Sequence, residues 1–145
     1  MRNAREIIEA LDLAAHPEGG WYRETWVASA GTDGRAQGTS IHFLLEPGQS
    51  SHWHRVDATE LWLFQAGAPL TLRLAEGEEG EGGVRDVRLG PDPTAGHVQQ
   101  QAVQPYEWQA AQAGPDGWAL VACVVVPGFR FEGFEMAAPS WEPRG

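Results

Sequence analysis

The feature that most constrains this chain is the change of hydrophobic period after residue 20. Before it, Ala4, Ile7, Ile8 and Leu11 recur at the spacing of one helical face. Asn3, with Glu6 three positions on, reads as a capping box, so a helix is expected over 4–11. The segment His16-Pro17-Glu18-Gly19-Gly20 ends that pattern, and no helical period of similar length returns. From Trp21 onward, short runs alternate apolar and polar residues between glycine and proline turns. Strands are expected over 21–27, 39–46, 51–56, 61–64, 70–74, 84–89, 98–103, 118–126 and 129–136. Eight or more short strands behind one helix predict an all-β, antiparallel, closed or double-sheet architecture. A small barrel of that kind encloses one ligand-sized cavity.

At 145 residues the chain is expected to be one domain, 1–145. Its formal charge is −10, which argues against nucleic acid or an anionic membrane as partner. All ten basic residues are arginine, so Schiff-base chemistry and a phosphate-loop lysine are excluded. The lone Cys123 rules out an intramolecular disulfide framework and lies in an apolar run, where a thiol behaves as a small hydrophobe. No 18-residue apolar run is present, and the first residues lack a signal peptide's apolar core, so a cytoplasmic location is expected. The acidic stretch 76–83 reads as a solvated hairpin tip.

The densest cluster of chemistry-bearing residues runs from Gly48 through His52, Trp53, His54, Arg55, Asp57 and Glu60 to Gly67. If 51–56 is extended, His52 and His54 point to one face, because strand side chains repeat every two residues. Two imidazoles and a carboxylate returning on the next strand suit a first-row metal.

The pattern Gly48…His52-x-His54-x5-Glu60-x6-Gly67 resembles the first signature of the cupin superfamily. The stretches from His16 to Glu24, Thr39 to Leu45, Trp53 to Val56, Glu60 to Trp62, Leu89-Gly90, Trp108-Gln109 and Pro127 to Phe129 resemble its cupin-five branch of uncharacterised single-domain proteins. The resemblance covers about residues 11–136. It implies a cupin jelly-roll β-barrel with a short N-terminal helix, an internal pocket, and commonly a homodimer. It does not imply a reaction. Two departures matter. Five residues, rather than three or four, separate His54 from Glu60, and the second signature's histidine slot holds Gln109, a poor ligand for zinc or iron.

Three readings stay open. In the first, His52, His54 and Glu60, with Gln109 or water, hold a divalent Zn, Ni, Fe or Mn ion. In the second, His54 works without metal as an acid–base group oriented by Asp57 or Glu60, opposed by Tyr22 or Tyr106, in isomerase or epimerase chemistry. In the third, the pocket binds a small ligand without catalysis. All three take a small polar molecule, carbohydrate or nucleotide-like, against walls supplied by Trp53, Trp62 and Trp108. Arg55 and Arg23 are the candidates to hold an anionic group. The tail 137–145 is expected to pack loosely or against a second subunit.

Overall fold

The computed structural model describes residues 2–144. Helix α1 (Ala4–Leu11) opens on the expected capping box. The Asn3 side chain accepts from the Glu6 N–H at 2.9 Å, and the Glu6 carboxylate accepts from the Asn3 N–H at 3.2 Å. Its apolar stripe packs with Leu44, Trp118 and Leu120 on the outside of a sheet, so the helix covers the barrel wall and stays clear of the interior. It is not long and apolar enough to cross a membrane.

Among the described residues, eleven strands form two antiparallel sheets. One contains, in spatial order, β1 (Ala14–Ala15), β2 (Trp21–Val27), β3 (Thr39–Leu45), β10 (Ala119–Val126), β5 (Thr59–Gly67) and β8 (Gln100–Val103). The other contains β11 (Phe134–Met136), β4 (Ser50–Val56), β9 (Trp108–Ala113), β6 (Leu70–Ala75) and β7 (Val84–Leu89). Their inner faces meet over Phe43, Leu45, Trp62, Leu70, Leu72 and Val121, which fill one end of the sandwich and leave the other open. Leu72 is fully buried at the centre of this layer. Leu72→Ala is therefore expected to cost about 2–5 kcal/mol, read as a lower urea midpoint at unchanged slope.

Three differences from the sequence expectation bear on the site. Strand β9 is absent from it, because Trp108-Gln109-Ala110-Ala111-Gln112-Ala113 has no β-branched residue and weak strand propensity. Tertiary position overrides this: β9 lies between β4 and β6, and its alanines are buried. The run 129–136 is not one strand. Phe131–Gly133 makes a 3₁₀ turn, and only Phe134–Met136 pairs with β4. The turn gathers Phe129, Phe131 and Phe134 edge to face, with ring centroids 5.0–6.2 Å apart. The tail also packs on its own chain. Trp141 lies 4.5 Å from the Trp108 ring, and the Ala137 N–H donates to the Trp53 carbonyl at 3.0 Å.

Strand β4 carries the irregularity that decides the site. Ser51 pairs with Ala111 and His54 with Gln109, so His52 and Trp53 together oppose one residue of β9. This is a β-bulge, and it resets which face each later side chain takes.

Candidate functional site

The open end of the sandwich holds a cavity of about 180 Å³. Its wall is apolar and aromatic, from Tyr22, Ile41, Phe43, Val56, Val125, Phe129, Phe131 and Phe134. Its polar groups are His16, Glu18, Glu24, Thr39, His54, Glu60 and Cys123. No arginine is among the lining residues.

At the bottom, His54 and Glu18 form a buried ion pair, Nε2 to Oε2, at 3.0 Å. The other ring nitrogen, Nδ1, donates to the His52 carbonyl at 2.8 Å. Burial opposes the charged imidazole. The Glu18 carboxylate, acting as charge and as hydrogen-bond acceptor, outweighs that and pushes His54 up to about 9. His54 is thus an imidazolium at neutral pH. His16 goes the other way: burial lowers its proton affinity, and its Nδ1 accepts from the Glu18 N–H at 3.1 Å. It stands as a neutral ring, 4.6 Å from that of Tyr22.

Glu60 enters from β5. Gln109 Nε2 donates to its Oε1 at 3.0 Å, and the Gln109 carbonyl oxygen accepts from Trp62 Nε1 at 2.8 Å. This relay fixes the carboxyl's orientation. Burial raises Glu60, the His54 charge pulls it back, and it settles at about 7. The Cys123 thiol lies beside it and is pushed up by burial, so it stays protonated and is no nucleophile.

Of the residues singled out from the sequence, the fold brings Tyr22, His54, Glu60, Trp62 and Gln109 together. The others lie elsewhere. The bulge turns His52 away from His54, so the two imidazoles do not share a face; His52 Nε2 donates to the Ala138 carbonyl at 2.8 Å. Trp53 and Trp108 lie on the outer face of the five-stranded sheet, clustered with Ala75, Ala110 and Trp141. Arg55 sits over the Trp108 ring at 4.6 Å and pairs with Glu78 and Glu135. Arg23 donates to the Leu11 carbonyl, and Asp57 is held by Arg35 at 2.7 Å rather than by His54. Tyr106 lies exposed in a turn, outside the cavity.

The expected metal set therefore does not converge. His54 Nε2 is committed to Glu18, both ends of the Gln109 amide are satisfied, and His52 faces outward. Among the described residues, no three or more His, Cys, Asp and Glu side chains are grouped to hold a metal ion. These donors do not fit one.

Glu18, His16 and the three phenylalanines are the site residues that sequence reasoning did not pick out as such. The signal was present in the loop 16–20. Gly19 and Gly20 have φ of +105° and +85°, and a Cβ on Gly20 would meet the Phe43 ring at 2.7 Å. Two glycines were needed to press a charged loop against the barrel mouth.

Residues 5–137 match the family model described as Cupin superfamily (DUF985). The chain belongs to that family. An X-ray structure of a protein from Shewanella oneidensis is similar at 38% identity and a TM-score of 0.87, over 95% of this chain and 86% of that one. A hypothetical protein from Leishmania major gives 30% identity and 0.84, over 94% and 88%. Oxalate decarboxylase from Bacillus subtilis, for which Mn(II) centres are described, gives 16% identity and 0.62 over 84% of this chain and 29% of that one. That likeness shows the shared jelly-roll alone. No curated protein matches the sequence. The family and the jelly-roll do not by themselves fix an activity, which depends on the cavity's own residues.

Proposed function

We propose that this cupin binds a small, uncharged polar molecule, such as a carbohydrate, and transfers a proton on it without metal. Glu60 is the general acid–base group, and the His54 imidazolium steadies negative charge on a neighbouring oxygen. The observation that carries this reading is the buried His54–Glu18 pair facing the same apolar-walled cavity as an independently oriented Glu60. A carboxyl poised near 7 both gives and takes a proton at neutral pH, and a fixed positive charge beside it favours an enolate-like state. Two titratable groups pushed to different values by their surroundings are the usual mark of assigned acid and base roles.

The charge of the lining selects against anions. The one strong cation, His54, is outnumbered by the lining carboxyl groups of Glu18, Glu24 and Glu60, and no arginine offsets them, so a ligand that arrives as an anion is disfavoured. A phosphate or carboxylate ligand finds no bidentate partner there, so this reading sets aside nucleotides and keeps carbohydrates.

The test is solvent exchange. A panel of neutral aldoses and ketoses is incubated with the protein in D₂O, and deuterium at the carbon next to the carbonyl is followed by NMR. Wild type is expected to catalyse exchange, and Glu60→Gln to lose about 10²–10⁴-fold while still binding by calorimetry. Exchange at wild-type rate in Glu60→Gln would sink the assignment. A non-catalytic binder is the second reading, favoured because hydrogen bonds within the protein use both ring nitrogens of His54. Saturable binding with no exchange by wild type would select it.

A further inference from the structure

His52 faces away from the cavity, yet each of its polar groups is tied to a different part of the site. Its N–H donates to the Glu18 carbonyl at 2.7 Å. Its own carbonyl accepts from His54 Nδ1 at 2.8 Å. Its imidazole Nε2 donates to the Ala138 carbonyl at 2.8 Å. One residue thus touches the acid of the buried pair, the base of that pair and the C-terminal tail, residues 137–144, which lies as a strap against the sheet.

The bulge explains why the third bond matters to the first two. His52 and Trp53 oppose a single residue of β9, so one residue of the bulge is left out of the ladder that would otherwise fix its peptide planes. The strap supplies the missing restraint. It is itself anchored, through Ala137 to the Trp53 carbonyl, through Trp141 on Trp108, and through the Arg144 N–H to the Glu79 carbonyl at 2.9 Å. Between strap and sheet lies an outer cleft of about 380 Å³, and Glu18 borders both this cleft and the inner cavity. The pair is separated from the strap by one residue only.

We infer that His52 is a positioning residue: the C-terminal strap seats its imidazole, and its two peptide groups then hold Glu18 and His54 at ion-pair distance. The inference rests on the proposed reading in taking that pair as part of the working site. Its consequence, however, is visible without any substrate. If the bulge relaxes, His54 loses part of its grip on Glu18 while its burial persists, so its proton affinity must fall. The other groups facing His54 are Glu60 on β5 and His16 in the loop, with the Phe134 ring on β11 against it; Cys123 lies behind Glu60. None of them is altered by changing the His52 side chain.

The experiment is a histidine NMR titration of the full chain, with the His54 signals assigned by their loss in His54→Gln. In His52→Ala, the His54 midpoint is expected about one unit lower than in wild type, a tenfold weaker hold on the proton. His52→Gln, long enough for its amide to reach the Ala138 carbonyl, is expected to restore the midpoint. His52→Asn, polar but too short, is expected to behave like His52→Ala, and it keeps the comparison informative if the alanine variant does not fold. A wild-type midpoint in both His52→Ala and His52→Asn would overturn the inference, as would an equal shift in Gln and Asn. Either result leaves Glu60-dependent solvent exchange untouched, so the two proposals fail separately.

Discussion

Replacing Glu18 by alanine is expected to lower stability at pH 7 by about 2–3 kcal/mol, because it removes the partner that keeps the buried His54 charged. His54 and Glu18 are both less than a tenth exposed, so water cannot replace the lost carboxylate. The protein's only relief is to release the proton. Burial is the largest influence on His54 and pulls its proton affinity down; with Glu18 gone, what opposes it is Glu60 and the bond to the His52 carbonyl. The His54 midpoint is therefore expected to fall from about 9 to its ordinary value of 6.5 or below. Urea unfolding at pH 7 reads the first effect, and histidine NMR reads the second. Glu18→Gln separates charge from packing: it fills the space, keeps an oxygen acceptor and still loses the charge. It should recover part of the stability and little of the midpoint. An alanine variant with a wild-type urea midpoint, or with His54 still titrating above 8, would show that the ion pair does not govern the site.

How much of this was legible in the sequence depends on whether a residue's direction follows from local period alone. Ile41, Phe43 and His42 alternate on an uninterrupted strand, and the structure places them so, with Ile41 and Phe43 lining the cavity and His42 bonded to Gln65 outside. Glu60 and Trp62 keep the same parity on β5, and both face inward. His52 and His54 fail the same rule because one bulge intervenes, and nothing in Ser50-Ser51-His52-Trp53-His54 announces it. Other residues depart from the expected placement for related reasons. The predicted wall of Trp53 and Trp108 lies outside because Trp53 sits in the bulge and Trp108 leads a strand invisible to propensity. Glu18 lies in a loop, which has no period from which to read a direction; only the two glycines beside it signal close packing. Where regular alternation holds, the face a side chain takes is legible in the sequence. Where a bulge or a loop carried the side chain, tertiary contacts decided.

The same buried groups make stability depend on pH in an unusual direction. For His54 the folded value, about 9, lies above the ordinary 6.5, so its contribution is fully present below pH 6.5 and is lost as pH rises through 9. For Glu60 the folded value, about 7, lies above the ordinary 4.5, so the folded state favours its protonated form; that contribution is present below 4.5 and lost as pH rises through 7. Both signs agree: through these two groups the folded chain binds more protons than the unfolded one between pH 4.5 and 9. Each contribution is on the order of 3 kcal/mol. Of the opposing groups, His16 is held below its ordinary 6.5 by burial and offsets part of the limb just below that value, and the others act lower. Asp57 is held below its ordinary 3.8 by Arg35, so its stabilisation is present above that value and disappears only in strong acid. Stability is therefore expected to peak near pH 5 and to decline toward pH 9, although the chain carries a net charge of −10 at neutrality. Urea midpoints taken at intervals from pH 4 to 9 measure this. Glu60→Gln should flatten the limb between 4.5 and 7, and His54→Gln the limb between 6.5 and 9. General surface repulsion among the carboxylates would also weaken the fold as pH rises, but 0.5 M salt screens it and leaves the buried limbs in place. Midpoints that rise from pH 5 to 9, or a decline that salt abolishes while both variants retain it, would remove His54 and Glu60 as its cause.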